Sequence, residues 1–144
     1  MSLWELTICA TLMATVAAIV VGRSGRQLIG TFGADADARR VGLGLLQARR
    51  RTISTGVTHG VQFNSSGGNI VSFSVVSIVS GVVTVVDGPT TFTTDLTVTS
   101  SHTQMTYDFE GKAGATYWVR FAGPNATWQI DVVSLTGSMT TTKL

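Results

Sequence analysis

The first twenty-two residues constrain this chain more than anything after them. Between Met1 and Gly22 the only ionisable side chain is Glu5, set in the run Leu3-Trp4-Glu5-Leu6-Thr7-Ile8-Cys9-Ala10-Thr11-Leu12-Met13-Ala14-Thr15-Val16-Ala17-Ala18-Ile19-Val20-Val21. Wound as an α-helix, about 21 residues at 1.5 Å each reach roughly 32 Å, the thickness of the hydrocarbon core of a bilayer. Such a segment crosses a membrane or packs inside a polymer. A secretory signal normally opens on Lys or Arg, and Met1-Ser2-Leu3-Trp4 has neither. A plain anchor leaves Glu5 unexplained, because a charge in the bilayer costs roughly 2.5–3.5 kcal/mol or more. A buried core helix needs protein on every side, and the rest of the chain reads as a small β domain with its own core.

The composition agrees with a surface that is not wholly for water. Of 144 residues only 12% are charged, about half the share in ordinary soluble domains, and mean hydropathy is +0.32. The pI near 9.1 reflects few ionisable groups, since net charge is only +2, so there is no broad basic surface for nucleic acid. A single cysteine, Cys9, excludes an intramolecular disulfide and a multi-cysteine zinc site.

From Arg23 to Gly56 no proline interrupts a helix, but Gly22, Gly25, Gly30 and Gly33 fall close together. Each costs about 1 kcal/mol relative to Ala in a helix interior. This stretch is expected to be the weak part of the helix, extended or irregular once the protein is assembled. Asp35 and Asp37 then precede Arg39 and Arg40, which reads as a restarting helix N-terminus with an Asp35–Arg39 pair at i, i+4. Ala38, Gly42, Leu45, Leu46 and Ile53 form a stripe that a sheet can cover. Arg49, Arg50 and Arg51 fall in the last turns, where cations oppose the helix dipole.

Past Gly56 the period becomes strand-like. Seven runs rich in β-branched or aromatic residues, Val57–Phe63, Ile70–Val79, Val82–Val86, Phe92–Thr99, Met105–Phe109, Tyr117–Phe121 and Trp128–Val133, read as strands. Turn signals separate them, among them Asn64-Ser65-Ser66-Gly67-Gly68, Ser80-Gly81 and Asp87-Gly88-Pro89. The expected class is α+β: a long N-terminal helix, membrane-spanning in its first half, packed on an antiparallel β-sheet domain. The expected segments are 1–22 for the hydrophobic helix, 23–56 for its continuation, and 57–144 for the β-rich domain.

The chemistry-bearing residues form no constellation. His59 and His102 read as lone surface histidines, and Asp87, Asp95, Asp108, Glu110 and Asp131 are scattered over separate elements. No catalytic, metal or cofactor site is expected. Asn64-Ser65-Ser66 and Asn125-Ala126-Thr127 match the glycosylation sequon, a short pattern with many chance occurrences.

The N-terminal run with Glu at the fifth residue resembles the mature N-terminus of type IV pilins and pseudopilins. The segment Leu45-Leu46-Gln47-Ala48-Arg49-Arg50-Arg51-Thr52-Ile53-Ser54-Thr55-Gly56-Val57-Thr58-His59-Gly60-Val61-Gln62-Phe63 is similar to the L-x-x-A-R-x-x-A-I-x-x-G-x-x-V-x-x-x-F pattern of the GspH/FimT group, with Thr52 at the usual Ala position. Tyr107-Asp108-Phe109-Glu110-Gly111-Lys112-Ala113 resembles that group's F-x-x-x-G pattern, and Thr136-Gly137-Ser138-Met139 its closing T-G-R-V. The proline usual near the end of the membrane segment is replaced by Gly22, and the arginine of the closing motif by Ser138. That arginine belongs to the tail that DNA-binding fimbrial members are thought to use, so no specific nucleic-acid binding is expected.

The resemblance implies that a prepilin peptidase removed a short basic leader, that the amine of Met1 is N-methylated, and that Met1 and Glu5 are the assembly residues. It implies a structural subunit of an extracellular pilus-like filament, a homo-oligomer joined through N-terminal helices and built by inner-membrane machinery, with other minor pilins as further partners. Before assembly the subunit would sit in the inner membrane as a single pass with its β domain outside the cytoplasm. A low-copy pseudopilin of a type II secretion pseudopilus and a membrane-anchored binding domain are the alternative readings.

Overall fold

A computed structural model describes the backbone of residues 3–144; of the side chains in the helix, those at 3, 6 and 20–32 lie outside the description. One helix, α1 (Leu3–Thr55), precedes eight strands: β1 (Thr58–Ser66), β2 (Asn69–Val79), β3 (Val82–Thr91), β4 (Thr97–Ser100), β5 (Gln104–Tyr107), β6 (Tyr117–Ala122), β7 (Thr127–Val132) and β8 (Met139–Lys143). The strands form two four-stranded sheets, ordered β3-β2-β1-β5 and β4-β6-β7-β8, and all their pairings are antiparallel.

The helix stops where the sequence lets it. Gly56 takes φ of 71° and its N–H donates to the Thr52 carbonyl at 2.9 Å, a left-handed cap that glycine adopts without steric penalty. The C-terminal half of α1 lies against strands of both sheets. Its buried face is Ala34, Ala38, Val41, Leu45, Ala48 and Thr52, spaced alternately four and three apart as one helical stripe requires. Small residues on this face let the sheet come close: a Cβ on Gly44 would stand 3.0 Å from the Phe73 ring. Phe92, in the connection between the sheets, stacks on Phe73 of β2 at 5.6 Å and meets the Phe121 ring of β6 edge-on at 5.7 Å.

Several expectations are corrected. Leu46 and Ile53 belong to the exposed side of the helix, not to its covered stripe; Val41 and Ala48 take the face instead, because the stripe turns with Leu45 rather than Leu46. The helix does not restart at Asp35, since the backbone is helical without a break from Leu3 to Thr55. The described residues form eight strands rather than seven. The eighth, Met139–Lys143, reads Met-Thr-Thr-Thr-Lys and has no apolar alternation, yet its backbone pairs with β7 from Val132↔Met139 to Trp128↔Lys143. The run Phe92–Thr99 is mostly a sheet-to-sheet connection, with pairing confined to Thr97–Ser100.

Asp87-Gly88-Pro89 is no turn. It lies within β3, where register shifts opposite Val75 absorb extra residues and the Gly88-Pro89 peptide is cis. Proline is tolerated there because β3 is an edge strand. His59 is buried rather than on the surface: its Nδ1 donates to the Val57 carbonyl at 2.7 Å.

Candidate assembly site

Glu5 stands in the first turn of α1, exposed and followed by a helix surface that is almost wholly apolar. Trp4 is 75% exposed, Leu12 59%, Met13 78% and Ile19 70%. Three threonines interrupt this surface without making it polar outward. The hydroxyl of Thr7 donates to the Trp4 carbonyl at 2.8 Å, that of Thr11 to Thr7 at 3.0 Å, and that of Thr15 to Thr11 at 3.0 Å. Each hydroxyl is satisfied by its own helix, so these three threonines can enter an apolar medium without an unpaired hydroxyl donor. Sequence reading missed this, although the four-residue spacing of Thr7, Thr11 and Thr15 was visible.

Met1 lies outside the described residues, as do the side chains at the end of the apolar run. Among the described residues no helix is long and apolar enough to cross a membrane. Gly22, Gly25, Gly30 and Gly33 all have helical backbone in this single chain; their expected irregularity concerns the assembled state. A Cβ on Gly33 would meet the Thr93 side chain at 3.2 Å, so the connection between the two sheets comes close to the helix at this glycine.

The β domain grips the helix just beyond that point. Asp37 is fully buried. One of its carboxylate oxygens accepts the Thr93 N–H at 2.8 Å and the other accepts from the Arg40 guanidinium at 3.2 Å. Asp35 and Arg39 pair at 3.0 Å on the exposed side, as their spacing predicts.

Further along, three sequence motifs converge. The Arg49 Nε donates to the Gly111 carbonyl at 3.0 Å and its Nη2 to the Thr136 carbonyl at 2.9 Å. Arg49 therefore does not serve the helix dipole: it ties the helix to the loops that carry the second and third motifs. Gly111 and Gly137 have φ of 79° and 59°, and their neighbours leave no room for side chains. A Cβ on Gly111 would stand 2.8 Å from Ile53 Cδ1, and one on Gly137 would run into the Gly111 carbonyl oxygen.

Thr52 performs the last splice. Its hydroxyl donates to the Ala48 carbonyl at 2.9 Å and accepts the His59 N–H at 2.9 Å, joining the end of α1 to the start of β1. Close by, burial pushes the Tyr107 phenol up to about 12, with the Arg49 charge opposing and Tyr117 adding to the shift. Ser138, in the place of the motif arginine, is exposed, and the Thr136 and Ser138 hydroxyls bond each other at 2.7 Å. His102 is exposed and rests edge-on against Tyr117 at 5.1 Å. No three His, Cys, Asp or Glu side chains among the described residues come together as a metal site.

No protein-family model and no curated protein matches this chain. Solved structures do. The minor pseudopilin EpsH from the type 2 secretion system of Vibrio cholerae superposes with a TM-score of 0.63 at 13% identity, over 76% of this chain and 95% of that one. The type IV minor pilin FimU of Pseudomonas aeruginosa gives 0.64 at 12% identity, over 78% and 90%, in one crystal form. A second crystal form of FimU gives 0.59 at 13% identity, over 75% and 91%. With the motif loops gathered around Arg49 and a helix prolonged beyond the β domain, the chain has the type IV pilin and pseudopilin fold of the GspH/FimT kind.

Proposed function

We propose that this protein is a structural subunit of an extracellular type IV pilus-like filament, assembled through its N-terminal helix, and not an enzyme. One observation carries the reading: a 53-residue helix is clamped by its C-terminal half, while its N-terminal half exposes apolar side chains, from Trp4 to Ile19, that no described residue of the same chain covers. About 17 residues from Leu3 to Ile19 extend roughly 25 Å. Before assembly the bilayer accepts this surface, and afterwards neighbouring helices do. Leader removal by a prepilin peptidase, methylation of Met1, inner-membrane assembly machinery and other minor pilins as partners belong to the same reading.

Glu5 then sets register. When helices stagger, the amine of Met1 approaches the Glu5 carboxylate of a neighbouring subunit. At 4 Å the attraction is about 4 kcal/mol at an effective dielectric of 20, before desolvation is subtracted, and removing one partner of a buried pair costs about 3–5 kcal/mol. Inside this packing the stretch Gly22–Gly33 loosens, because neighbours can shield the backbone groups that a water-exposed break would leave to solvent. The test is Glu5→Gln, scored by pelleting sheared filaments from cells in which leader cleavage is verified. Normal processing with loss of filaments is expected; wild-type polymer yield would overturn the pairing.

A low-copy role is favoured by one observation: EpsH and FimU are both minor subunits by name. Mass spectrometry of purified fibres separates the two roles, a dominant chain marking the major subunit and trace amounts the minor one.

A further inference from the structure

Strand β3 is one of the two edges of its sheet, and along Val82–Val86 it is exposed on both faces. Val82 is 64% exposed and Val85 55%. Natural edge strands usually carry charge, a bulge or a cover against unwanted pairing. In β3 these features begin only at its sixth residue and at the bulge before it, since the register passes from Val76↔Val85 to Val75↔Asp87 and Pro89 follows; the preceding run Val82-Val83-Thr84-Val85-Val86 carries no charge and reads the same in both directions.

The hairpin fixes which backbone groups face outward. Ser80 and Gly81, with φ of 52° and 82°, form the two-residue turn between β2 and β3, so the closing pair Val79↔Val82 is hydrogen-bonded. Antiparallel pairs alternate. Hence Ile78↔Val83 is a non-hydrogen-bonded pair, Ser77↔Thr84 a bonded one and Val76↔Val85 again a non-bonded one. The N–H and C=O groups of Val83 and Val85 therefore point away from β2, to the open side.

We propose that this edge pairs antiparallel with the same edge of a second copy, about a two-fold axis through Thr84. Centred there, Val83 faces Val85 of the second copy and exchanges two hydrogen bonds with it, the symmetric pair supplies two more, and Thr84 faces Thr84. Every outward backbone group between Val83 and Val85 is satisfied, and like residues occupy like positions. Charge agrees, since the nearest acid, Asp87, would face Gly81 and no like charges meet. A register centred on Val83 or on Val85 keeps a two-fold axis but pairs that valine with itself and sets the other valine against Gly81 or Asp87, so it joins fewer outward-facing valines; registers centred between residues bring inward-pointing groups to the seam. Such a contact is isologous and closes on two copies, so it cannot itself propagate a helical filament. It stands whether or not the filament reading holds.

Five paired residues bury less than the roughly 1,000 Å² of a stable interface, so pairing is reversible and is best trapped covalently. The experiment uses the full chain in detergent micelles, in a Cys9→Ser background, with diamide as oxidant. Thr84→Cys places two thiols across a non-bonded pair with Cα atoms about 4.5 Å apart, within disulfide reach. Val82→Cys places its two thiols about 14 Å apart in this register, four residues at about 3.4 Å. Thr84→Cys should form disulfide dimers at least about 10-fold faster than Val82→Cys, and mixing Val82→Cys with Val86→Cys should restore fast heterodimer formation. Adding Val83→Pro to Thr84→Cys removes an outward N–H without touching the β2 ladder and should abolish the fast dimer. The separate variant Thr84→Cys with Val85→Pro serves if the first proline unfolds the chain, as judged by thermal melting. Equal rates for Thr84→Cys and Val82→Cys, or fast dimers that persist in a folded proline variant, would overturn the proposal.

Discussion

The guanidinium of Arg49 and the carbonyl of Gly111 are 62 residues apart in sequence and 3.0 Å apart in the fold. With the second bond to the Thr136 carbonyl at 2.9 Å, this contact locks the C-terminal half of α1 onto two loops of the β domain. The direction of the projecting half thus depends on a few side chains far from it.

Replacing Arg49 by Ala should lower the stability of the fold by about 2–4 kcal/mol, since two hydrogen bonds from a charged donor are lost and part of the site remains open to water. Arg49→Lys should recover less than half, because a single ammonium cannot reproduce the planar fork that meets both carbonyls. Urea unfolding followed by tryptophan fluorescence measures both, and equal stability of all three proteins would contradict the clamp.

Thr52→Ala should destabilise by about 1–3 kcal/mol, because it leaves the buried His59 N–H without an acceptor. Thr52→Ser keeps the hydroxyl and should cost clearly less. Hydrogen exchange at the His59 amide provides a local readout: it should accelerate in the alanine variant and stay slow in the serine one.

Gly137 and Gly67 have nearly equal φ, 59° and 60°, but different surroundings. Nothing lies within 4 Å of a Cβ on Gly67, whereas one on Gly137 meets the Gly111 carbonyl and the Arg49 Nε. Gly67→Ala should therefore show only backbone strain, about 1–2 kcal/mol. Gly137→Ala should exceed it by at least about 1 kcal/mol, because the clamp must shift. Thermal melting of the two variants checks the order.

Raising pH should weaken the fold through Tyr107. Its folded-state value of about 12 exceeds the unfolded value of about 10, so the native state holds the phenol proton where the unfolded chain has released it. That contribution is complete below pH about 10 and is lost as pH rises to about 12. It amounts to roughly 2–3 kcal/mol by linkage. Stability measured from pH 8 to 12 should fall more steeply in the wild type than in Tyr107→Phe; parallel curves would refute the assignment.

The sequence by itself determined the elements whose signal is local. The apolar run to Gly22 and the absence of proline before Gly56 are enough for helix on both sides of the glycine-rich stretch, though not for its continuity through Asp35, and Ser80-Gly81 between two valine-rich runs is enough for a hairpin. The Asp35–Arg39 pair was equally legible, because four residues along a helix is a fixed distance. The family motifs were visible too, but not their common purpose, since nothing in Arg49, Gly111 and Thr136 says that they meet. Only the tertiary structure decided that Arg49 bonds carbonyls instead of facing the helix dipole, that Leu46 turns out while Val41 turns in, and that Met139–Lys143 is a strand. In each case the deciding partner is a backbone group or a sheet surface far along the chain. Local periodicity carries information about a residue's own element, and which face of that element is covered depends on how two sheets arrive against it.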